Sequence, residues 1–195
     1  MQISSNFDSG NIEVISTESP SNIQLAIKKD HQSEFYQWFH FKLHNTEHSE
    51  HVMHLTNAGK SAYVEGWKDY QAVASYDRQH WFRVPTTFDG ENLSITFTPE
   101  YDSTYFAYFA PYSYERHQDL IHSAQLDIDC QLQVLGQTLD GRDMSLLKVG
   151  EEGEGKKVIW ITARQHPGET MAEWFMEGFI DRLLDEDDGV ARSLL

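Results

Sequence analysis

The amino-acid sequence predicts an all-β antiparallel sandwich domain followed by an α/β domain of mixed sheet and helices. The first observation is the position of the aromatic residues, because 21 of the 25 lie at or before Tyr114. The second is that apolar and polar residues alternate in this first part, as they do in half-buried strands. The third is that the remainder contains a continuous apolar run, Val158 to Thr162, followed by a wide apolar helical face.

The first part of the chain reads as a series of short strands separated by turns. The segments that predict strands are Ile23 to Ile27, Phe35 to Leu43, Leu93 to Thr98 and Tyr105 to Phe109. The second and fourth are aromatic on both alternating faces, which indicates strands covered on each side. Turn signals at Asn57-Ala58-Gly59 and at Asp89-Gly90 have the spacing of an all-β module. We therefore expect a β-sandwich domain over residues 1–117.

The second part, residues 118–195, is expected to form a separate domain. A short helix over Ser113 to Ala124 marks the boundary, and a hairpin around Asp140-Gly141 opens the domain. Val158 to Thr162 predicts a strand buried on both faces. Apolar residues at helical spacing predict a helix over Met171 to Leu184, packed on a sheet. It should begin with a capping box in which Thr170 and Glu173 bond reciprocally, and end at the acidic segment 185–189.

Composition excludes several classes of partner. There are 15 Lys and Arg residues against 31 Asp and Glu, a formal net charge of −16. Such a chain is repelled by a nucleic-acid backbone or an anionic membrane, so we expect neither as the main partner. No secretory signal and no apolar run of membrane-spanning length are present, which predicts a cytoplasmic protein. The single cysteine, Cys130, is interpreted as a strand residue and fits a reducing compartment.

A candidate metal site lies between the predicted buried strand and the helix. Here the sequence is His166-Pro167-Gly168-Glu169, and Pro-Gly at the centre favours a tight turn. The two ends of such a turn lie within about 7 Å at Cα, close enough for an imidazole and a carboxylate to hold one ion. A histidine with a carboxylate is a zinc-like ligand set. The alternative is a tight turn whose histidine and glutamate are merely solvated.

The His-x-x-Glu pattern by itself carries little information. About 0.8 matches are expected by chance, and the chain has three: His31/Glu34, His44/Glu47 and His166/Glu169. Only the third lies in a strand-to-helix turn, where active sites of α/β sheets assemble. A second histidine group is His44, His48, His51 and His54. We interpret that group as a polar hairpin loop with solvated histidines, with an adventitious metal site as the alternative.

Three segments resemble a known family. Ile161 to Thr170 (ITARQHPGET) resembles the first metal-binding segment of the cytosolic carboxypeptidases, a branch of the zinc carboxypeptidase family. Leu135 to Val149 is similar to the hairpin before that segment across the wider family. Tyr105 to Tyr114 resembles the β-sandwich domain that leads the catalytic domain in this branch. The resemblance spans nearly the whole chain, is strongest after Leu135 and suggests a bacterial-type member.

The resemblance implies a function and assigns residues to it. His166 and Glu169 become the first two ligands of a Zn²⁺ ion, and the reaction becomes hydrolysis of the C-terminal peptide bond of a peptide or protein, with glutamates as possible leaving residues. The third ligand, the general-base glutamate and the arginine that binds the substrate carboxylate are expected beyond Leu195. The 195 residues would then hold an incomplete catalytic domain that is inactive alone. Arg164 matches the family pattern, and the resemblance gives it no role.

Two other functions remain open at this point. A related zinc amidase acting on N-acyl amino acids shares the His-x-x-Glu arrangement, although its members do not lead with such a sandwich. A noncatalytic binding protein with a degenerate metal site would use the sandwich to recognise a partner. A further histidine and a glutamate later in the sequence would separate the enzymes from the binding protein.

Overall fold

The structure is a computed structural model that describes residues 1–44 and 48–195. It divides into two compact units, Met1–Pro111 and Tyr112–Leu195. The placement of a domain boundary at residue 117 stays a prediction.

The first unit contains two five-stranded sheets. The strands are β1 Gln2–Ser4, β2 Glu13–Ser16, β3 Ile23–Ala26, β4 His40–His44, β5 His51–Leu55, β6 Val73–Ser75, β7 Phe82–Arg83, β8 Thr86–Phe88, β9 Leu93–Phe97 and β10 Ser103–Ala107. One sheet has the order β1-β4-β10-β6-β7 and the other has the order β2-β3-β5-β9-β8. All pairs are antiparallel except β3 with β5, a parallel pair that the sequence did not reveal.

The alternation in the sequence builds one core between these sheets. Ile23 and Leu25 on β3, and Leu93 and Ile95 on β9, are fully buried, while the polar residues between them are not. A single hydrophobic cluster joins side chains of both sheets, as a sandwich requires. The predicted β-sandwich is therefore confirmed. Two short 3₁₀ turns, Ala58–Lys60 and Val64–Trp67, add the buried Trp67, whose indole N–H donates to Ala58 O at 3.0 Å.

For the first unit, one prediction was only partly right and another was wrong. Of the segment Phe35 to Leu43, only the part from His40 onward is strand, and Phe35 is 69% exposed. The histidine group is not a hairpin loop, because β4 and β5 lie in different sheets. His51 is buried and its Nδ1 lies 2.7 Å from Ser49 O, whereas His48 is exposed. Glu47 of the second His-x-x-Glu match lies outside the described residues.

The second unit contains three helices and one hairpin among its described residues. They are α1 Tyr114–Ala124, β11 Cys130–Gln137, β12 Asp143–Val149, α2 Met171–Leu183 and α3 Gly189–Leu194. The predicted connecting helix is confirmed, and its N-cap Ser113 accepts a hydrogen bond from Arg116 N at 3.1 Å. The predicted hairpin is confirmed too, with Gly141 at a φ of +77° in its turn. Cys130 begins β11 and is buried, as expected of a strand residue.

The small core of this unit brings the hairpin and α2 together. Ala124, Cys130 and Ile180 are buried at its centre, and Leu147 and Phe179 are among the residues that pack on them. Phe175, on the predicted apolar face of α2, is 61% exposed, so that face is only partly covered.

The strand predicted over Val158 to Thr162 is wrong for this structure. The segment has no strand hydrogen bonding, and Val158, Ile159 and Trp160 are 81%, 77% and 69% exposed. A strand buried on both faces needs sheet neighbours. The only sheet described in this unit is β11 with β12, and neither strand pairs with the segment.

The acidic segment after α2 also differs from its prediction. It does end α2, but Asp188 then caps α3, a helix that was not expected, by accepting from the N–H groups of Val190 and Ala191 at 2.8 and 3.0 Å. In the described ranges, 1–44 and 48–195, every helix is too short or too polar to cross a bilayer.

Candidate metal centre

The segment His166 to Glu169 forms the tight turn that its sequence predicts. Glu169 N donates to His166 O at 2.9 Å, a hydrogen bond that closes a four-residue turn. The turn precedes α2 directly, and Ala172 N donates to Glu169 O at 3.2 Å. Both ends of the turn are therefore held close to the start of the helix.

The side chains of His166 and Glu169 face each other. His166 Nδ1 lies 2.9 Å from Glu169 Oε2, and the two side chains are 78% and 57% exposed. Two donor atoms on one tetrahedral zinc, each at about 2.1 Å, are roughly 3.4 Å apart. A small side-chain rotation would therefore let both groups bind one ion, and their exposure leaves the ion a path to them.

Of the other two His-x-x-Glu matches, the structure describes the glutamate of one. Glu34 forms an ion pair with Lys29, and Glu47 of the other match is not described. Within residues 1–44 and 48–195, no three His, Cys, Asp or Glu side chains converge as a metal site. The turn at 166–169 thus offers two ligands.

Arg164 has an unusual backbone and three acceptors. Its φ is +62°, a left-handed conformation that is uncommon for a residue other than glycine. Its Nε donates to Pro167 O at 2.9 Å, and its Nη1 donates to Tyr112 O at 3.3 Å. Nη1 also donates to the Glu173 carboxylate. Pro167 is in the centre of the turn, so the guanidinium holds the turn from one side.

Glu173 connects this arginine to α1. Glu173 is only 9% exposed. Its carboxylate accepts at Oε1 from His117 Nδ1 at 2.6 Å and at Oε2 from Arg164. Burial acts to raise the pKa of Glu173, but the hydrogen bonds from His117 and Arg164 outweigh burial and the pKa lies below its ordinary value. Glu173 is therefore an ionised carboxylate paired on both oxygens.

A second acid, one helical turn later, forms its own group of contacts. Glu177 accepts from Arg116 Nε at 2.7 Å and from the Tyr112 hydroxyl at 2.6 Å. The Arg116 hydrogen bond is the main cause that lowers the pKa of Glu177. Burial, followed by the bond to Glu177, raises the pKa of Tyr112. This group touches α1 and α2. Its member Tyr112 also accepts from Arg164 through its backbone O, while the hydrogen bonds and ring contacts of Arg116 and Glu177 do not end on residues 166–169.

Sequence reasoning missed the roles of Arg164 and Glu173. The predicted capping box is wrong, because the Thr170 side chain makes no capping hydrogen bond and Glu173 turns toward His117 and Arg164 instead. A usable signal was present. Glu173 lies seven residues before the buried Ile180, hence on the same buried stripe of α2, where an acid must be paired.

Comparison with known proteins identifies the family. Residues 114–195 match the family model for zinc carboxypeptidase, and this range includes the 166–169 turn. Residues 3–109 match the model for the cytosolic carboxypeptidase N-terminal domain. The chain therefore belongs to the zinc carboxypeptidase family and to its cytosolic carboxypeptidase branch, and the resemblance seen in the sequence is confirmed.

Individual relatives agree with this assignment. An uncharacterised protein of Zymomonas mobilis is 48% identical over 100% of the chain and 50% of its own length. A metallo-carboxypeptidase of Burkholderia cenocepacia is 50% identical with a TM-score of 0.95, over 99% of this chain and 53% of that one. A metallo-carboxypeptidase of Pseudomonas aeruginosa is 47% identical with a TM-score of 0.94, over 100% and 52%. The chain spans about half the length of these relatives.

Proposed function

We propose that the protein is a zinc metallocarboxypeptidase that hydrolyses C-terminal amino acids from peptides or proteins, with His166 and Glu169 as two of its zinc ligands. The observation that carries the proposal is the approach of His166 Nδ1 to Glu169 Oε2, 2.9 Å apart across a closed turn. This turn lies inside the segment that matches the zinc carboxypeptidase family.

The donor set fits the metal. Catalytic zinc takes imidazole nitrogen and carboxylate oxygen from three protein ligands and keeps one position open. Two such donors are present in the turn, and we assign the third ligand to a segment outside the 195 residues, since the relatives are about twice as long. When bound, zinc would polarise the scissile carbonyl and activate a water molecule.

The residues of this chain contribute binding and orientation to that reaction. His166 must present a neutral imidazole nitrogen to the ion, and Glu169 an ionised carboxylate. The backbone hydrogen bond from Glu169 N to His166 O closes the turn that carries both side chains, which face each other. The general-base glutamate and the arginine for the substrate carboxylate belong, in this proposal, outside the chain.

The proposal extends to substrate and location. The Pseudomonas aeruginosa relative was solved with (2-guanidinoethylmercapto)succinic acid, a compound with two carboxyl groups. Its binding there supports a pocket for a terminal carboxylate in this protein as well, and a peptide or protein C-terminus as the substrate. The names of the animal relatives, cytosolic carboxypeptidases, support a cytoplasmic location.

Alanine substitution in the full-length protein tests the ligand assignment. His166→Ala and Glu169→Ala should each lower the zinc retained after dialysis and reduce hydrolysis of a peptide C-terminus by at least about 100-fold, because the ion loses a ligand. The matched control is His31→Ala, which alters another His-x-x-Glu pair of the same spacing. It should leave both measurements unchanged.

Two results would defeat the proposal. Unchanged zinc content in both His166→Ala and Glu169→Ala would remove the ligand assignment. A zinc-loaded wild type that releases no amino acid from a panel of peptides with different C-terminal residues would favour a noncatalytic binding protein.

A further inference from the structure

We propose that Arg164 is a positioning residue for the metal turn, residues 166–169, and that Glu173 and His117 hold Arg164 in place. This inference rests on the proposed function, because it concerns the zinc ligands His166 and Glu169. It assigns a role to three side chains that do not themselves bind the ion.

The backbone of Arg164 shows that this residue is held in place. A φ of +62° is energetically unfavourable for a residue other than glycine and persists only where its surroundings compensate. The surroundings here are three acceptors for one guanidinium: Pro167 O at 2.9 Å, Tyr112 O at 3.3 Å and the Glu173 carboxylate. The left-handed backbone aims the side chain back at the turn it precedes.

Glu173 gives the guanidinium a fixed anchor. The residue is 9% exposed, and each of its oxygens has a donor, Arg164 on one side and His117 on the other. A carboxylate bonded in this way has little freedom to rotate. Because His117 lies on α1 and Glu173 on α2, the contacts connect Pro167 to both helices through Arg164.

The metal turn depends on this support because its own ligands are exposed. The side chains of His166 and Glu169 are 78% and 57% exposed, and they contact each other at 2.9 Å. The guanidinium contact at Pro167 O therefore restrains the middle of the turn from the protein side. Removing a residue that supports metal ligands from outside the coordination sphere typically lowers metal affinity by about 10–100-fold.

The chain offers a matched control one helical turn away. Arg116 and Glu177 form a comparable arginine–carboxylate pair between α1 and α2, with Tyr112 as the third member. Neither Arg116 nor Glu177 is hydrogen bonded to Arg164 or to residues 166–169, and the pair meets the Arg164 contacts only through Tyr112, whose hydroxyl donates to Glu177 and whose backbone O accepts from Arg164. Substituting this pair removes a similar ion pair from the same two helices without touching the turn.

The experiment compares conservative variants of the two pairs in the full-length zinc protein. Arg164→Lys keeps the positive charge but loses the planar guanidinium that donates to three acceptors. Glu173→Gln keeps the shape of the side chain but removes its negative charge. Both should raise the zinc dissociation constant about 10–100-fold, measured by competition with a chelator of known affinity. Arg116→Lys and Glu177→Gln should change it less than about threefold.

A spectroscopic measurement separates positioning from stability. In the cobalt-substituted protein the visible d–d absorption reports the geometry around the metal. It should change in Arg164→Lys and Glu173→Gln and stay as in wild type in Arg116→Lys and Glu177→Gln, even where melting temperatures fall equally. Arg164→Gly relieves the backbone and removes the side chain. It should behave like Arg164→Lys, whereas wild-type affinity in the glycine variant would show that only the backbone matters and would overturn the proposal.

The failure of this inference is distinguishable from failure of the proposed function. If His166→Ala loses zinc while Arg164→Lys and Glu173→Gln keep wild-type affinity and cobalt spectrum, the positioning role is wrong and the ligand assignment stands. If His166→Ala keeps its zinc, the ligand assignment itself is wrong and the positioning inference goes with it.

Discussion

The two units of the chain differ in how far they bury their apolar runs. In the first unit, large side chains such as Phe41, Leu43 and Phe106 have no exposed surface. In the second, Val158, Ile159 and Trp160 form a continuous apolar run that is 69–81% exposed. Both regions contain apolar segments that predict strands. The difference lies in the sheet: β4 and β10 pair with each other and with further strands, whereas the run at 158–162 has no strand partner among the described residues.

Burial of an apolar side chain is thus a property of its partners as much as of its own sequence. Each buried strand in the first unit has a neighbour inside that unit to complete its hydrogen bonds and cover its face. This comparison can be tested by removing side chains from each region in turn.

The largest expected effect is in the sandwich core. Phe41→Ala should reduce the free energy of unfolding by about 3–5 kcal/mol, because the ring is fully buried and stacks on Phe106 with centroids 5.3 Å apart. Equilibrium urea denaturation measures it. The control Phe35→Ala removes the same ring from a 69% exposed position and should cost less than about 0.5 kcal/mol. Equal losses in the two variants would contradict the described core.

An intermediate effect is expected from the pH dependence of His40. Its imidazole is 2% exposed, and burial together with the charge of Arg78 lowers its pKa to about 3. The folded state therefore keeps His40 neutral while the unfolded state, near pKa 6.5, binds a proton, so stability is lost as the pH falls from about 6.5 toward 3. Between pH 7 and pH 5 the wild type should lose about 2 kcal/mol more than His40→Phe.

Urea denaturation of both proteins at several pH values between 7 and 5 measures this difference. The phenylalanine variant fits the environment of His40, since the rings of Phe7, Trp38, Trp81 and Tyr105 surround it. Parallel plots of unfolding free energy against pH would show that His40 is protonated as easily in the folded as in the unfolded state, and would place it outside the core.

The smallest effect is expected in the exposed run. Trp160→Ala in the 195-residue chain should change the free energy of unfolding by less than about 0.5 kcal/mol, because the indole is 69% exposed. The same denaturation experiment measures it. A loss above about 2 kcal/mol would show that the run is packed like a buried strand and would remove the contrast between the two units.

Much of the fold was predictable from the sequence because local patterns determine it. Period-two alternation located β3 and β9, helical spacing located α1 and α2, and Asp140-Gly141 located the hairpin turn. Sheet membership was not predictable in the same way. The histidine group between β4 and β5 looked like a hairpin because its residues are polar, but nothing local says that the next strand enters the other sheet.

In the candidate site, too, local contacts were predictable from the sequence and long-range contacts were not. The facing of His166 and Glu169 follows from a Pro-Gly turn, which is local. Their role as metal ligands stays a prediction. The contacts of Arg164 and Glu173 could not be predicted, because they depend on His117 and Tyr112, more than 45 residues earlier in the chain. Only the position of Glu173 on the buried stripe of α2 hinted at a partner.

The strand order of the first sheet has a consequence for biosynthesis. β10 lies between β4 and β6, yet it is the last strand of the first unit to be translated. While the ribosome is still adding residues before Ser103, β4 and β6 have no partner between them and expose their pairing edges. The sandwich should therefore close late and in one cooperative step, and nascent chains arrested before Ala107 should bind chaperones and aggregate more readily than chains released after it.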